Sequence, residues 1–223
     1  MHTHLANPKN TFFNLPAEKQ QRIISIAVEE FAANGYQKAS LNNVVKRSGI
    51  SKGSLYQYFE NKEGLFLHIF ESFTQLVKDA ANAALATVAA ADFFAQLEAI
   101  IWAGISFIDT HPEYFQIYLR VLFEQDVPRR EELVSRVRLF PLEYMGPLCE
   151  AGQLNGTIRA DVEPAMAVFI VDAALERFLQ AYAKPYLDSG LGLMDKNEQQ
   201  LREAVVTMIM VLRGALVPQG RGV

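Results

Sequence analysis

Cysteine is almost missing from this chain, since Cys149 is the one thiol among 223 residues. A single cysteine excludes a disulfide framework within the chain and fits a reducing compartment, where we expect it to be a small packing residue. No run of about 18 apolar residues occurs, and the longest strongly apolar candidate, residues 99–108, is too short to span a bilayer. The first ten residues, MHTHLANPKN, contain no hydrophobic signal segment. The sequence therefore predicts a cytoplasmic protein with no membrane partner.

Motifs for chemistry are equally scarce. His68 and His111 are far apart in the sequence and show no metal-ligand spacing, and Cys149 lacks the context of a catalytic nucleophile. The segment GISKGS lacks the spacing of a phosphate-binding loop. We therefore expect no metal, no cofactor and no catalytic residue. A catalytic triad can still assemble from distant segments, so an enzyme stays open as an alternative.

Two short helical patterns joined by a glycine turn occur in the stretch SLNNVVKRSGISKGSLYQYFENKE. Ser40 is a good N-cap for the first helix, and Gly49 can adopt the left-handed conformation that ends it. Ser51 can cap the second helix, on which Leu55 and Phe59 are four residues apart and share the apolar face. This arrangement is typical of a helix-turn-helix that binds DNA.

The other face of the second helix carries residue types that contact DNA. Gln57 can pair with a base edge through its amide, and Gly53 lets the backbone come close. Lysine, serine and tyrosine side chains beside them can reach phosphate or ribose oxygens. Lys62 follows Asn61, an N-cap candidate whose helix would point its N-terminus at the same phosphate. The candidate DNA contacts are Ser40, Lys52, Gly53, Ser54, Tyr56, Gln57, Tyr58 and Lys62.

A helix-turn-helix pattern has a second interpretation, an αα-corner whose second helix is merely solvated. The distribution of charge favours the interpretation as a DNA-binding motif. Residues 1–62 contain eight Lys and Arg against four Asp and Glu, a formal charge of +4, whereas residues 63–223 sum to −8. A basic head on an acidic chain fits phosphate binding and would orient the encounter with DNA.

The stretch from about Pro16 to Leu67 resembles the DNA-binding domain of the TetR family of bacterial transcriptional regulators. The resemblance rests on a first helix QQRIISIAVEEFAANGYQKAS, a second LNNVVKRSG, the turn and recognition helix ISKGSLYQYF, and NKEGLF opening a fourth. Two departures are modest. NVV at residues 43–45 stands where an acidic residue, Ile and Ala are common, which affects packing and capping. Gln57 and Tyr58 replace a frequent His-His or Tyr-His pair, which would alter the bases that are read.

Beyond residue 63 the pattern is helical almost throughout. A long fourth helix is predicted from one apolar stripe, Leu65, Ile69, Phe73, Leu76 and Ala80. Further helices are predicted at about 92–109, 112–125 and 129–151. Pro141 and Pro147 fall inside the last of these, and we expect them to kink it or to split it in two.

The last two long segments, Pro164–Lys184 and Leu201–Val217, are apolar over more than one stripe. Such helices need cover on two sides. A second copy across a two-fold axis is the simplest cover for the side that the core leaves open, although a helix fully buried within the monomer gives the same pattern. The resemblance implies dimerisation through the last two helices, so we predict a homodimer on a palindromic operator. The predicted interface residues are Phe169, Ala173, Val205, Ile209 and Leu212.

The resemblance also implies a cavity among the middle helices for a small-molecule effector. Occupancy would shift the fourth helix and change the spacing of the two DNA heads. An effector acts only through its preference for the conformation that fits DNA poorly. An apolar or amphipathic molecule is expected, and its identity is open. The candidate pocket residues are Trp102, Phe107, Tyr118, Phe123, Tyr144 and Phe169.

These patterns predict an all-α protein of about nine helices, with a three-helix helix-turn-helix head and a helical ligand-binding and dimerisation body. We expect a flexible N-terminal tail at residues 1–15, a DNA-binding domain at 16–62, the body at 63–218 and a C-terminal tail at 219–223. The expected function is a ligand-responsive transcriptional regulator, a repressor released from its operator by the effector. The alternative is a helical small-molecule binding protein or enzyme that retains the head without reading DNA sequence.

Overall fold

The structure is a computed structural model that describes residues 8–89 and 92–218, with all their side chains except those of residues 138–142. Over these residues the chain forms ten α-helices, two short 3₁₀ turns and no strand, as predicted for an all-α protein. The predicted C-terminal tail and residues 1–7 lie outside the described part. The α-helices are α1 (Asn10–Phe13), α2 (Ala17–Lys38), α3 (Leu41–Ser48), α4 (Lys52–Tyr58), α5 (Lys62–Leu85), α6 (Phe93–Thr110), α7 (Pro112–Phe123), α8 (Arg130–Leu154), α9 (Pro164–Ala183) and α10 (Glu198–Leu216), and the 3₁₀ turns are Pro185–Leu187 and Leu193–Asp195.

The helices form two compact units. Among the described residues, the first comprises residues 8–77 together with His111–Ser135, and the second comprises Lys78–Thr110 together with residues 136–218. The first unit thus contains α7 as well as the helix-turn-helix segment. The compact units therefore do not follow the predicted boundary between residues 62 and 63, which stays a prediction about function.

In the first unit α2 packs against α3 and α7. Helical geometry in α2 is interrupted at Gly35, where φ is 69° and a Cβ would lie 2.9 Å from a carboxylate oxygen of Glu124. Arg120 of α7 donates from its guanidinium to the carbonyls of Ala32 and Ala33, both at 2.9 Å, and pairs with Glu124. The guanidinium thus binds the two α2 carbonyls that lie just before the interruption.

Residues 8–15 pack as part of the first unit, which corrects the predicted flexible tail over that stretch. Asn10–Phe13 form α1, and Phe12 is only 2% exposed. The Lys9 N–H donates to the carbonyl of Tyr58 at 3.0 Å. The physical reason is that the Phe12 ring gives this segment enough apolar surface to bury, which outweighs the entropy of ordering a few residues.

The core of the second unit is built by α6, α9 and α10, which pack on one another. Gly104 lets α6 approach α9 closely, since a Cβ there would lie 2.6 Å from a methyl of Leu179. By length and composition alone α6 could cross a bilayer, but 44% of it is buried inside the structure. A helix at the centre of a core passes the same test. The buried core side chains include Leu97, Ile101, Ile105, Val171, Leu175, Val205, Ile209 and Leu212.

The backbone of α8 is continuous from Arg130 to Leu154. Of the two outcomes expected at Pro141 and Pro147, the split is therefore wrong, and the kink stays a prediction. A proline removes its own N–H donor and crowds one carbonyl, and the rest of a long hydrogen-bond ladder can hold the helix together across it. The helices α6, α7, α9 and α10 begin and end within about three residues of the predicted bounds.

Candidate nucleic-acid interface

Three local caps define the helix-turn-helix formed by α3 and α4. The Ser40 side chain accepts from the N–H of Asn43 at 3.4 Å, where α3 begins. Gly49 ends α3 in the left-handed region with φ 70°. The Ser51 side chain accepts from the N–H of Ser54 at 3.0 Å and caps α4. All three caps are confirmed, and together they fix which side chains α4 turns outward.

The recognition helix α4 divides into a buried and an exposed face. Leu55 is buried. Tyr56 is 41% exposed, and Lys52, Gly53 and Gln57 are exposed too. The exposed face therefore presents an amide, a phenol, an ammonium and a bare stretch of backbone. These groups can donate to phosphates and pair with base edges.

Gly53 is not explained by the packing of the chain itself. Its backbone is helical, and a Cβ would meet only the Ser51 hydroxyl oxygen, at an ordinary contact distance of 3.8 Å. Alanine would fit there and is a better helix former than glycine. A missing side chain at this point is what close approach of another molecule to the α4 backbone would require.

Three of the predicted DNA contacts serve the fold in the structure. Tyr58 is 8% exposed, and its ring centroid lies 5.9 Å from that of Phe12. Tyr58 is therefore corrected to a packing residue, because α1, which the sequence patterns did not predict, covers it. Ser54 is half-buried, with its hydroxyl 2.8 Å from that of Ser51. Ser40 is half-buried as the cap of α3.

Lys62 lies at the start of α5, where Asn61 accepts from the N–H of Gly64 at 2.8 Å and confirms the predicted N-cap. The Lys62 ammonium donates to the carbonyl of Gln37 at 3.0 Å. Burial lowers the pKa of Lys62, and the nearby Glu30 carboxylate opposes that shift. Because an ammonium has three donors, this contact leaves the side chain able to bind a phosphate as well.

Both α9 and α10 expose an apolar face in addition to the one that packs into the core. Phe169 on α9 is 67% exposed, and Ala173 is exposed beside it. On α10, Met210 is 62% exposed, and Val206 lies on the same side one turn earlier. The two predicted interface positions on α9 thus lie at the surface.

The three predicted interface residues on α10, Val205, Ile209 and Leu212, are corrected to core residues, because all three are buried within the second unit. One position along a helix is a rotation of about 100°, so Val205 and Val206 face different directions. Because both stripes are apolar, the pattern alone did not indicate which one the core would take. Spacing by four does mark Val206 and Met210 as a second stripe.

The six candidate pocket residues are divided between the two units. Tyr118 and Phe123 belong to the first unit, and the other four belong to the second. Tyr118 is buried and stacks on Phe73 with centroids 5.5 Å apart, whereas Phe123 is exposed. In the second unit Phe107 is buried, Trp102 and Tyr144 are half-buried, and Phe169 is exposed.

Two polar atoms on α6 are inaccessible to solvent and meet no hydrogen-bond partner among the described residues. They are the indole Nε1 of Trp102 and the side-chain Oε1 of Gln96. The Trp102 ring lies under the guanidinium of Arg202, 5.3 Å from its centroid. Buried polar groups in native proteins are nearly always paired, so an unpaired donor and acceptor on one helix are candidates for contact with a bound molecule or water.

Two side chains with chemically reactive groups, the Cys149 thiol and the His68 imidazole, are buried and half-buried respectively. Burial raises the pKa of the Cys149 thiol to about 11, with Glu150 adding to the shift, so the thiolate is scarce near neutral pH. Burial lowers the pKa of His68, with Glu71 opposing the shift, and the His68 ring lies against Phe12 and Phe59. Over the described residues, no three His, Cys, Asp or Glu side chains converge as a metal site.

Comparison with known proteins indicates the family of this chain. A sequence profile of bacterial regulatory proteins, tetR family, matches residues 23–69. A TetR family transcriptional regulator from Chloroflexus aurantiacus J-10-FL is 30% identical, with a TM-score of 0.70 and coverage of 95% of this chain and 99% of that one. The probable acrEF/envCD operon repressor of Escherichia coli (strain K12) is 24% identical over 168 residues, 72% of this chain and 74% of that protein. FadR from Bacillus subtilis, solved in complex with stearoyl-CoA, shares the fold at 18% identity, with a TM-score of 0.65 and coverage of 86% and 96%.

An all-α chain with a capped, outward-facing recognition helix defines the class of helix-turn-helix transcriptional regulators. Within that class the Chloroflexus regulator matches this chain over almost its whole length, and the profile covers the helix-turn-helix itself. The chain belongs to the TetR family, and the protein is a DNA-binding transcriptional regulator.

Proposed function

We propose that this protein is a cytoplasmic homodimeric repressor. It binds a palindromic operator through α4 of each copy and leaves the operator when a small apolar or amphipathic molecule binds the body. The DNA-binding domain is residues 16–62, and the body is residues 63–218. One observation carries the DNA half of the proposal: the exposed face of α4 combines Gln57 and Lys52 with Gly53, whose missing side chain the fold does not need.

Repression, as opposed to activation, is supported by the Escherichia coli relative, which is named as a probable operon repressor and overlaps most of this chain. The dimer is supported by the apolar faces that α9 and α10 leave exposed. Apolar side chains such as Phe169 and Met210 grouped on neighbouring helices usually mark a protein interface. A second copy is the partner that family membership supplies, and a two-fold axis would pair each face with its equivalent.

The effector half is supported by Trp102 and Gln96, whose unpaired indole N–H and amide oxygen can orient a ligand. The aromatic and aliphatic side chains around α6 favour a largely apolar molecule. FadR, which shares the fold, was solved with stearoyl-CoA, so this architecture can hold a long acyl chain. Trp102, Phe107 and Tyr144, which all belong to the second unit, are the proposed pocket residues.

Selection of duplex fragments from a genomic library by the purified protein tests the DNA half. We expect enrichment of one inverted repeat whose half-sites are about one helical turn of DNA apart, because two recognition helices related by a two-fold axis enter successive major grooves. A helical binding protein or enzyme that only retained the head would enrich no sequence, and that result would refute the proposed function.

The fluorescence of Trp102 tests the effector half, because the sequence contains a single tryptophan. Compounds that change the Trp102 emission should also weaken operator binding, and operator DNA should weaken compound binding by the same factor, since coupling between two sites is reciprocal. Acyl thioesters, aromatic compounds and lipophilic cations are the classes to screen. A compound that shifts the emission and leaves operator affinity unchanged would argue against Trp102 as an effector contact.

A further inference from the structure

The recognition helix α4 ends abruptly. It has seven residues, and Phe59 leaves it in an extended conformation with φ −125° and ψ 135°. The Phe59 N–H still donates to the carbonyl of Leu55 at 2.8 Å. The next three carbonyls, those of Tyr56, Gln57 and Tyr58, have no donor left within the helix, so they must be satisfied from outside it.

The segment Lys9–Phe13 supplies a donor to each of these three carbonyls. The Lys9 N–H donates to the Tyr58 carbonyl at 3.0 Å, and the Thr11 hydroxyl donates to the Gln57 carbonyl at 2.7 Å. The Lys9 ammonium reaches the Tyr56 carbonyl at 3.5 Å. A cation at this end also suits the helix dipole. The last turn of α4 is thus capped by residues more than 40 positions away in the sequence.

An aromatic anchor holds the segment in place. Phe12 is buried, and its ring centroid lies 4.9 Å from that of Phe59 and 5.9 Å from that of His68. The ring therefore packs beneath the end of α4, while Tyr56 and Gln57 stay exposed. Displacing Thr11 from α4 would require removal of this ring from an aromatic cluster, so the cap is kept in register by packing.

We propose that Lys9–Phe13 is a positioning element of the recognition helix, an external C-cap that orders its last turn and so sets its affinity for DNA. The DNA part of this inference rests on the proposed function of α4. A helix of two turns is not stable by itself, because few hydrogen bonds repay the cost of nucleation. The order of its last turn, which carries Tyr56 and Gln57, therefore depends on the outside donors.

A matched pair of variants of the full chain tests the proposal. Thr11→Val keeps the shape of the side chain and removes the hydroxyl, whereas Thr11→Ser keeps the hydroxyl. In the free protein, exchange of the Tyr58 and Phe59 amide hydrogens should be about fivefold faster in Thr11→Val and unchanged in Thr11→Ser, the size expected for one hydrogen bond. Operator affinity should fall by about the same factor in Thr11→Val alone, and the melting temperature of that variant should fall by no more than about 4 °C, the shift that one lost hydrogen bond produces in a chain of this size.

Equal amide exchange in the two variants would overturn the cap, and equal operator affinity would overturn its role in DNA binding. The exchange measurement needs no DNA, so it stands apart from the proposed function. A wild-type protein that selects no duplex would refute the proposed function, while faster exchange in Thr11→Val would still support the cap.

Discussion

The recognition helix α4 and the last helix α10 are both half-buried, yet they expose opposite chemistry. On α4 the buried side is Leu55, and the exposed side carries Lys52 and Gln57. On α10 the buried side is the stripe that contains Val205, and the exposed side carries Met210. Both helices are positioned by one face, so the other face is available to a partner.

The difference between the two exposed faces indicates the kind of partner. Polar and cationic groups such as those on α4 lose hydration when they are buried, so they need a partner that returns hydrogen bonds and opposite charge, as DNA does. Exposed apolar groups such as Met210 gain from leaving water, and a second apolar face offers them that. One chain thus shows two surfaces, which we assign to DNA and to a second copy.

The largest effect should come from a charge on the apolar face of α10. Met210→Glu would place a carboxylate among the apolar side chains of the proposed interface, where association would remove its hydration. We expect a monomer in sedimentation equilibrium at concentrations where the wild type is a dimer. Operator affinity should fall by about a hundredfold or more, because the second half-site then binds as an independent event.

Two controls separate the interface from the fold. Leu154→Glu places the same charge on another exposed apolar residue of the second unit and should leave the dimer intact. Val205→Ala removes two methyl groups from the core and should lower the free energy of unfolding by about 2 kcal/mol without forming monomers. A dimeric Met210→Glu protein would contradict the assignment of this face to a second copy.

The sequence predicted the turn between α3 and α4 well because its determinants are local. Ser40 and Ser51 each cap an N–H three residues ahead, and Gly49 needs only its own backbone freedom. The docking of α1 could not be predicted in this way, because it joins Thr11 to Gln57 across 46 positions. Such contacts depend on the whole first unit having folded.

Rotational ambiguity explains the errors on α10 and, in the candidate site, on α4. Val205 and Val206 are both apolar, so helical periodicity offers two equivalent solutions, and only the packing of α6 and α9 selects one. Tyr58 lies between the buried and exposed faces of α4. The packing of Phe12 against it, which the sequence did not predict, places it on the buried side. Gln57 lies nearly opposite Leu55, far from that border, so the sequence predicts its exposure correctly.

A smaller effect is expected on the polar face of α4, where Gly53→Ala sharpens the comparison. The added methyl meets only an ordinary contact within the chain, so the variant should be more stable by about 0.5 kcal/mol, because alanine favours helix. Operator affinity should nevertheless fall by about tenfold, since the methyl would occupy space that the DNA needs. Thermal unfolding and operator titration measure the two changes on the same sample.

Gly146→Ala is the matched control for Gly53→Ala. It adds the same methyl to a helical glycine in α8, where nothing lies within 4 Å of the new atom, and it should leave operator affinity unchanged. If Gly53→Ala is more stable and binds the operator more weakly, while Gly146→Ala binds it as the wild type does, then the missing side chain at Gly53 serves DNA binding. If Gly53→Ala binds the operator as the wild type does, the DNA does not approach α4 at this point.

The smallest effect, and the most direct contrast between the two faces, is the response to salt. Lys52→Gln should weaken binding to every DNA sequence by about fivefold at physiological salt and make the salt slope shallower by about one, because one fewer counterion is released. Lys196→Gln removes the same charge from the second unit and should leave the slope unchanged. The dimer dissociation constant, which we attribute to apolar burial, should change little over the same salt range. A dimer that weakens as steeply with salt as the DNA complex does would mean that charge holds both contacts, and the contrast between α4 and α10 would then be wrong.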